Sequence, residues 1–168
     1  LKKLKLQRLR LHVFGDPHIS YELLLRLRRH VARVSVRPVV GGRPQAGFEL
    51  RKDAIRQVGF APEEALLPYP DRSFAGYRLL QEYFAFPEKF FFFDLTGLEE
   101  VAAAGFGPKI EILFLVSPFE RNERQQALEA GVSAKTFRLN CSPAINLFPL
   151  TAEPILLDQT RYEYPVVP

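Results

Sequence analysis

Apolar and basic residues alternate along residues 4–14, LKLQRLRLHVF, with one slip at Gln7–Arg8. Leu4 and Leu6 share one parity and Leu9, Leu11 and Val13 the other, which predicts a strand with a bulge. GDPH then turns the chain, with Asp16 placed to cap a helix and Pro17 at its first position. Ile19, Leu23, Leu24 and Leu27 recur at helical spacing, with Glu22, Arg26 and Arg29 on the outward face, so a helix is expected over 17–30. VARVSV at 31–36 reads as a strand. RPVVGGRPQAG at 37–47 is turn-rich, a short strand is expected at 47–51, and 54–60 reads as another strand or a loosely ordered edge. Residues 62–73, with three prolines, read as an extended connector. A second helix is expected over 73–86, from a Ser73 cap to a stop at Pro87, with Phe74, Tyr77, Gln81 and Phe84 spaced three and four apart and Leu80 beside them.

The next stretch departs from ordinary composition. Six of the ten residues at 84–93 are Phe, and Phe90, Phe91, Phe92 and Phe93 are consecutive. A strand is expected at 90–95. Side chains alternate along a strand, so four Phe cannot share one face. Alternate members are expected to face the core, with the other pair beneath the 73–86 helix or at an interface. KIEILFLVS at 109–117 is a second apolar strand and a natural neighbour for the first. GLEEVAAAGFG between them reads as a helical turn. A short helix is expected within 118–136, a strand at 136–140, and extended segments at EPILLD and RYEYPVV. Strands and helices mix without βαβ alternation. The expected fold class is α+β, a mixed, sandwich-like sheet core with two main helices.

The chain has 168 residues and 47% apolar content, enough for one domain with its own core. Sub-lobes at 1–60 and 61–168 remain an alternative. It begins at Leu1 and has no methionine, so it is expected to be a piece of a longer protein. Cys141 is the single cysteine, which excludes an intrachain disulfide and suits a reducing compartment. No apolar run approaches the ~20 residues of a membrane span. Residues 1–60 carry a charge balance of +10 and residues 61–168 one of −6. The plain expectation is two solvated faces that partly neutralise each other. A basic surface for nucleic acid or anionic lipid would show steep salt dependence, but the basic third has only widely spaced aromatics for stacking.

Catalytic constellations are missing from the sequence. His12, His18 and His30 match no common metal-ligand spacing, and nothing marks a base for Cys141. GFG at 105–107 lacks the remainder of a dinucleotide loop. The acid pairs Glu63–Glu64 and Glu99–Glu100 are neighbours in sequence, which does not place carboxylates across a substrate. No catalytic, cofactor-binding or metal-binding residue is assigned. The alternative is an α+β enzyme fragment whose site is completed by missing segments, with His12, Asp16, His18 and Cys141 the residues to inspect.

Two long blocks carry a resemblance. VGFAPEEALLPYPDRSFAGYRLLQEYFAFPEKFFFFDLTGL (58–98) and TFRLNCSPAINLFPLTAEPILLDQTRYEYPVVP (136–168) resemble the TssF family, also called VasA or ImpG, of type VI secretion system baseplate wedge proteins. LRLHVFGD and YELLL resemble it more loosely. The family more often has a Leu within the aromatic run after FPEKF, a change that preserves apolarity. The resemblance implies a non-catalytic structural part of a contractile, phage-tail-like injection machine, without cofactors. It implies wedge partners TssG, TssE and further TssF copies, with the adaptor TssK and the central spike in the assembled baseplate. It also implies a cytoplasmic location at the inner face of the inner membrane, with no nucleic acid and no direct membrane insertion. The candidate interface residues are Tyr69, in the LLPYP connector, and one pair from Phe90, Phe91, Phe92 and Phe93.

Overall fold

A computed structural model describes residues 6–70 and 72–167, the side chain of Ala102 excepted. Leu4, in the first expected strand, lies outside the described residues. Strand β1, Arg8–Val13, begins where the alternation resumes after the slip, and it buries Leu11 and Val13. Helix α1, Pro17–Arg29, starts as the sequence requires: the Asp16 carboxylate accepts hydrogen bonds from the His18 and Ile19 amides, at 2.9 and 3.3 Å, and Pro17 needs no amide partner. His30 closes the helix by donating its amide to the Arg26 carbonyl. Leu23, Leu24 and Leu27 are buried as expected, but so is Arg26. Its guanidinium pairs with Glu22 at 2.8 Å and lies 3.9 Å from the Phe119 ring centroid, so an ion pair and an aromatic face replace the solvent that the periodicity implied.

Strand β2, Val31–Val40, runs past the expected end of the second strand. Gly41 and Gly42, at φ 59° and 79°, turn it into β3, Arg43–Pro44. Two successive positive φ values suit a tight hairpin and favour glycine at both positions. Strands β4, Phe48–Glu49, and β5, Ile55–Gln57, are short. A single 3₁₀ turn at Pro62–Glu64 opens the connector. Helix α2, Ala75–Ala85, is preceded by Phe74 rather than capped by the Ser73 side chain; the Ser73 amide instead closes a turn onto the Pro70 carbonyl. It ends before Pro87, as expected.

The Phe run does not form one strand. Pro87–Phe91 is a 3₁₀ turn, and strand β6 covers Phe92–Thr96. Helix α3, Glu99–Ala103, strand β7, Ile110–Val116, helix α4, Asn122–Gly131, and strand β8, Phe137–Arg138, follow. No helix or strand is present among described residues after Arg138.

Two antiparallel sheets result. One has the order β5-β6-β1-β8, with Leu11 opposite Phe93 and Arg10 opposite Asp94. In the other, β2 pairs with β3 and β4 along one edge and with β7 along the other. The two apolar strands β6 and β7 are therefore not partners, contrary to the sequence expectation. β1 and β5 already occupy both edges of β6, and β7 pairs along β2 from Val31 to Pro38. The sheets meet through side chains: Phe114 of β7 lies 6.2 Å from the rings of both Phe93 and Phe137, which belong to the first sheet. Leu23, Leu24 and Leu27 of α1 and Leu128 of α4 join the same apolar cluster as Val34, Val36, Phe93 and Leu95. The architecture is α+β, with α1 and α2 the two longest helices.

Candidate functional site

The four consecutive Phe are all buried, at 8%, 5%, 3% and 0% exposure from Phe90 to Phe93. Because the turn ends at Phe91, the rings leave in four directions instead of alternating across one strand. Phe90 meets Phe60 and Tyr83, Phe91 meets Tyr21, Phe92 meets His12, and Phe93 enters the inter-sheet core. Only Phe90 touches a ring of α2. Tyr69 is half-buried in the connector.

Exposed aromatic surface lies next door, on α2. Phe74, Tyr77, Leu80 and Phe84 are 72%, 64%, 57% and 80% exposed. Their spacing of three and four residues places them on one face, and that face points to solvent. The opposite face buries Arg78 and Glu82. Helices at a protein surface ordinarily hold apolar residues in and charges out. Here the arrangement is reversed.

The buried face holds a polar network in which the Arg78 Nε lacks an acceptor among the described residues. The Lys89 ammonium donates to one Glu82 oxygen, and the other oxygen accepts the Leu66 and Leu67 amides at 2.8 and 3.1 Å. Burial pushes the Glu82 carboxyl up, but the Lys89 hydrogen bond and the two amides outweigh it, leaving it below its ordinary value. Arg78 donates to the Pro62 carbonyl at 3.3 Å. The connector, α2 and the Phe90 turn are thus tied together by charge-assisted hydrogen bonds, which leaves the aromatic residues of α2 free to face outward. Glu64 extends the ties: it accepts the Gly59 amide at 2.6 Å and pairs with Arg10 at 3.1 Å, while Arg10 grips Asp94 at 2.7 and 2.9 Å. Ion pairs such as Arg10–Asp94 and Arg37–Glu111 join the basic first third to the acidic remainder, which is the mutual neutralisation expected of two charge-opposed faces.

A second exposed apolar surface is the C-terminal arm, residues 139–167. Leu147, Phe148, Leu150, Leu156, Leu157 and Tyr162 are exposed along it. It curls on itself: the Glu153 amide donates to the Val167 carbonyl at 2.8 Å and the Tyr164 hydroxyl to Asp158 at 2.6 Å. The Tyr164 and Thr160 donors hold the Asp158 carboxyl below its usual range.

The residues named for an enzyme alternative serve other purposes. Asp16 caps α1, His18 is exposed, and the His12 ring lies 4.4 Å from Phe92. Burial pulls the His12 imidazole below its ordinary value, against a backbone hydrogen bond at Glu88. The Cys141 thiol lies 3.5 Å from the Leu139 carbonyl. None of these side chains hydrogen-bonds another, and no group of three or more His, Cys, Asp or Glu is placed to hold a metal, among the described residues. Sequence reasoning missed the outward face of α2. The spacing of Phe74, Tyr77 and Phe84 marked a face but not its direction. The available clue was the opposite charges of Glu82 and Lys89, seven residues apart and flanking the Pro87 stop.

A family model described as "Type VI secretion system, TssF" matches residues 1–168. The type VI secretion system component TssF1 of Pseudomonas aeruginosa is 35% identical over 166 residues, which is 98% of this chain and 25% of the relative. The chain thus spans about a quarter of that relative's length. Among solved structures, a chain of a TssK-TssF-TssG baseplate subcomplex, seen by cryo-electron microscopy, aligns with a TM-score of 0.64 at 31% identity. The alignment covers 96% of this chain and 29% of that one.

Proposed function

The chain belongs to the type VI secretion system TssF family, and from that membership we propose that it is part of a structural subunit of the baseplate wedge, acting by protein–protein assembly and not by catalysis. The observation that carries this reading is the reversed helix α2, which holds charges inside and presents Phe74, Tyr77, Leu80 and Phe84 to solvent. A contiguous exposed aromatic face is costly in water and suits a surface that is covered in the working state. Large aromatics also bury much area with few rotatable bonds, as interfaces favour.

The proposed partners are TssG, TssE and further TssF copies within the wedge, and the TssK adaptor and central spike in the assembled baseplate. The TssK-TssF-TssG subcomplex supports the first and fourth of these, because its related chain shares this fold. The proposed location is the cytoplasm, at the inner face of the inner membrane, with no membrane insertion. No helix among the described residues is long and apolar enough to cross a membrane. One apolar cluster draws on both 1–60 and 61–168, from Leu11 and Val36 to Leu95 and Leu128, which supports a single folding unit rather than two sub-lobes. Within the candidate interface, Phe90 acts by supporting α2 and Phe91 by supporting α1, Tyr69 sits in the connector that α2 holds, and Phe92 and Phe93 act by stiffening the platform.

The test is co-purification of the full-length parent with TssG-like and TssE-like subunits. Stable capture without turnover of any small molecule is expected. Consistent failure to capture either subunit would refute the proposal.

A further inference from the structure

Between α1 and α2 lies a groove of about 530 Å³. Phe90 and Phe91 line its base, Tyr21 and Leu25 come from α1, and Leu80 and Tyr83 come from α2. Tyr21 and Tyr83 thus face the groove from different helices. Two arginines, Arg28 and Arg29, line it, and no carboxylate does among the described residues.

Arg28 is the informative residue. It is half-buried, and one terminal nitrogen donates to the Phe90 carbonyl at 3.3 Å. Its Nε is enclosed and has no acceptor among the described residues. Nor does a carboxylate pair with its guanidinium among them, in contrast to Arg10, Arg26 and Arg37. Burial pulls the Arg28 guanidinium below its ordinary value. A partly desolvated cation without a counter-charge is a cost that an incoming anion removes. A free inorganic anion would leave the apolar walls wet; an apolar segment without a charge would bury the guanidinium unpaired. Both demands are met together by apolar side chains next to a carboxylate.

We propose that this groove seats a segment of a neighbouring wedge subunit that carries adjacent apolar side chains and an Asp or Glu, whose carboxylate pairs with Arg28. The proposal rests on the assembly reading above and gives it a specific address and chemistry.

The test places a photo-reactive residue at the exposed Leu25 position of the full-length protein, assembles it with its wedge partners, and identifies the cross-linked peptide. The expected product joins Leu25 to another subunit, at a segment with an acidic residue among apolar ones. Arg28→Gln keeps a donor for the Phe90 carbonyl and removes the charge; it should lower the cross-link yield about tenfold at limiting partner concentration. Should that variant fail to fold, Leu80→Asp at the exposed rim supplies a competing carboxylate and should lower the yield similarly. Arg124→Glu, on the exposed face of α4, should leave it unchanged. Cross-links within the same polypeptide, to a segment lacking an acid, or to nothing in an assembled complex would overturn the proposal, as would an undiminished yield with Arg28→Gln. Failure of the unmodified protein to assemble at all would refute the assembly reading and this proposal with it.

Discussion

Glu82 and Lys89 show how single residues decide what this chain presents to its surroundings. Both are almost fully enclosed, and each satisfies the other. Glu82→Ala would strand the Lys89 ammonium in a dry site and should cost about 3–5 kcal/mol in thermal or denaturant unfolding. The pH dependence has a definite sign. A carboxyl held below its unfolded value contributes stability above the unfolded pKa, roughly 4.3. That contribution is lost as pH falls through the lower folded value. Glu82→Gln should therefore flatten the acid limb of a stability–pH profile; a profile unchanged from the parent's would show that Glu82 is not the titrating group. Phe93 makes the complementary case. Its ring is sealed between the sheets, and Phe93→Ala should cost about 3–5 kcal/mol. That an aromatic run would be buried was legible in its composition. Where each ring would go was not, because the 3₁₀ turn at Pro87–Phe91 breaks the strand parity on which alternation arguments depend.

Helices α1 and α2 divide cleanly on this question. The start of α1 was legible because its signals are local: Asp16 caps amides two and three residues on, and Pro17 follows. Asp16→Ala should cost about 1 kcal/mol of stability, read from the unfolding midpoint. The periodicity failed only at Arg26, whose burial depends on Phe119, 93 residues away in sequence and on no local pattern. In α2 the period was legible but its direction was not. Both faces of that helix carry residues able to pack, and the choice is made by Lys89 and the connector amides. Because Tyr77 and Phe84 lie outside the core, Tyr77→Ser and Phe84→Ser should each change stability by no more than about 0.5 kcal/mol. The pair together should nonetheless weaken capture of wedge partners in a pull-down with the full-length protein. A large loss of stability with unchanged capture would reverse the assignment of that face.

At the scale of the whole molecule, two antiparallel sheets and the α1 and α4 helices share one apolar cluster, while the aromatic face of α2, the groove beside it and the 139–167 arm stay uncovered. The element order was largely legible in the sequence, since turns, prolines and periodicities are local. Strand partners were not: β6 and β7 share an apolar character that invites pairing, yet β2 claims β7 through a long register set by distant residues. The same division explains the functional site. A platform for assembly could be anticipated from aromatic excess and from the resemblance of the two blocks, whereas its location follows from tertiary contacts. The account is tested most directly by hydroxyl-radical footprinting of the full-length protein, free and assembled with its wedge partners. It predicts strong labelling of Phe74, Tyr77 and Phe84 in the free subunit and marked protection of all three on assembly, with Phe93 silent in both states. Equal labelling of the α2 aromatics in the two states, or their protection already in the free subunit, would contradict it.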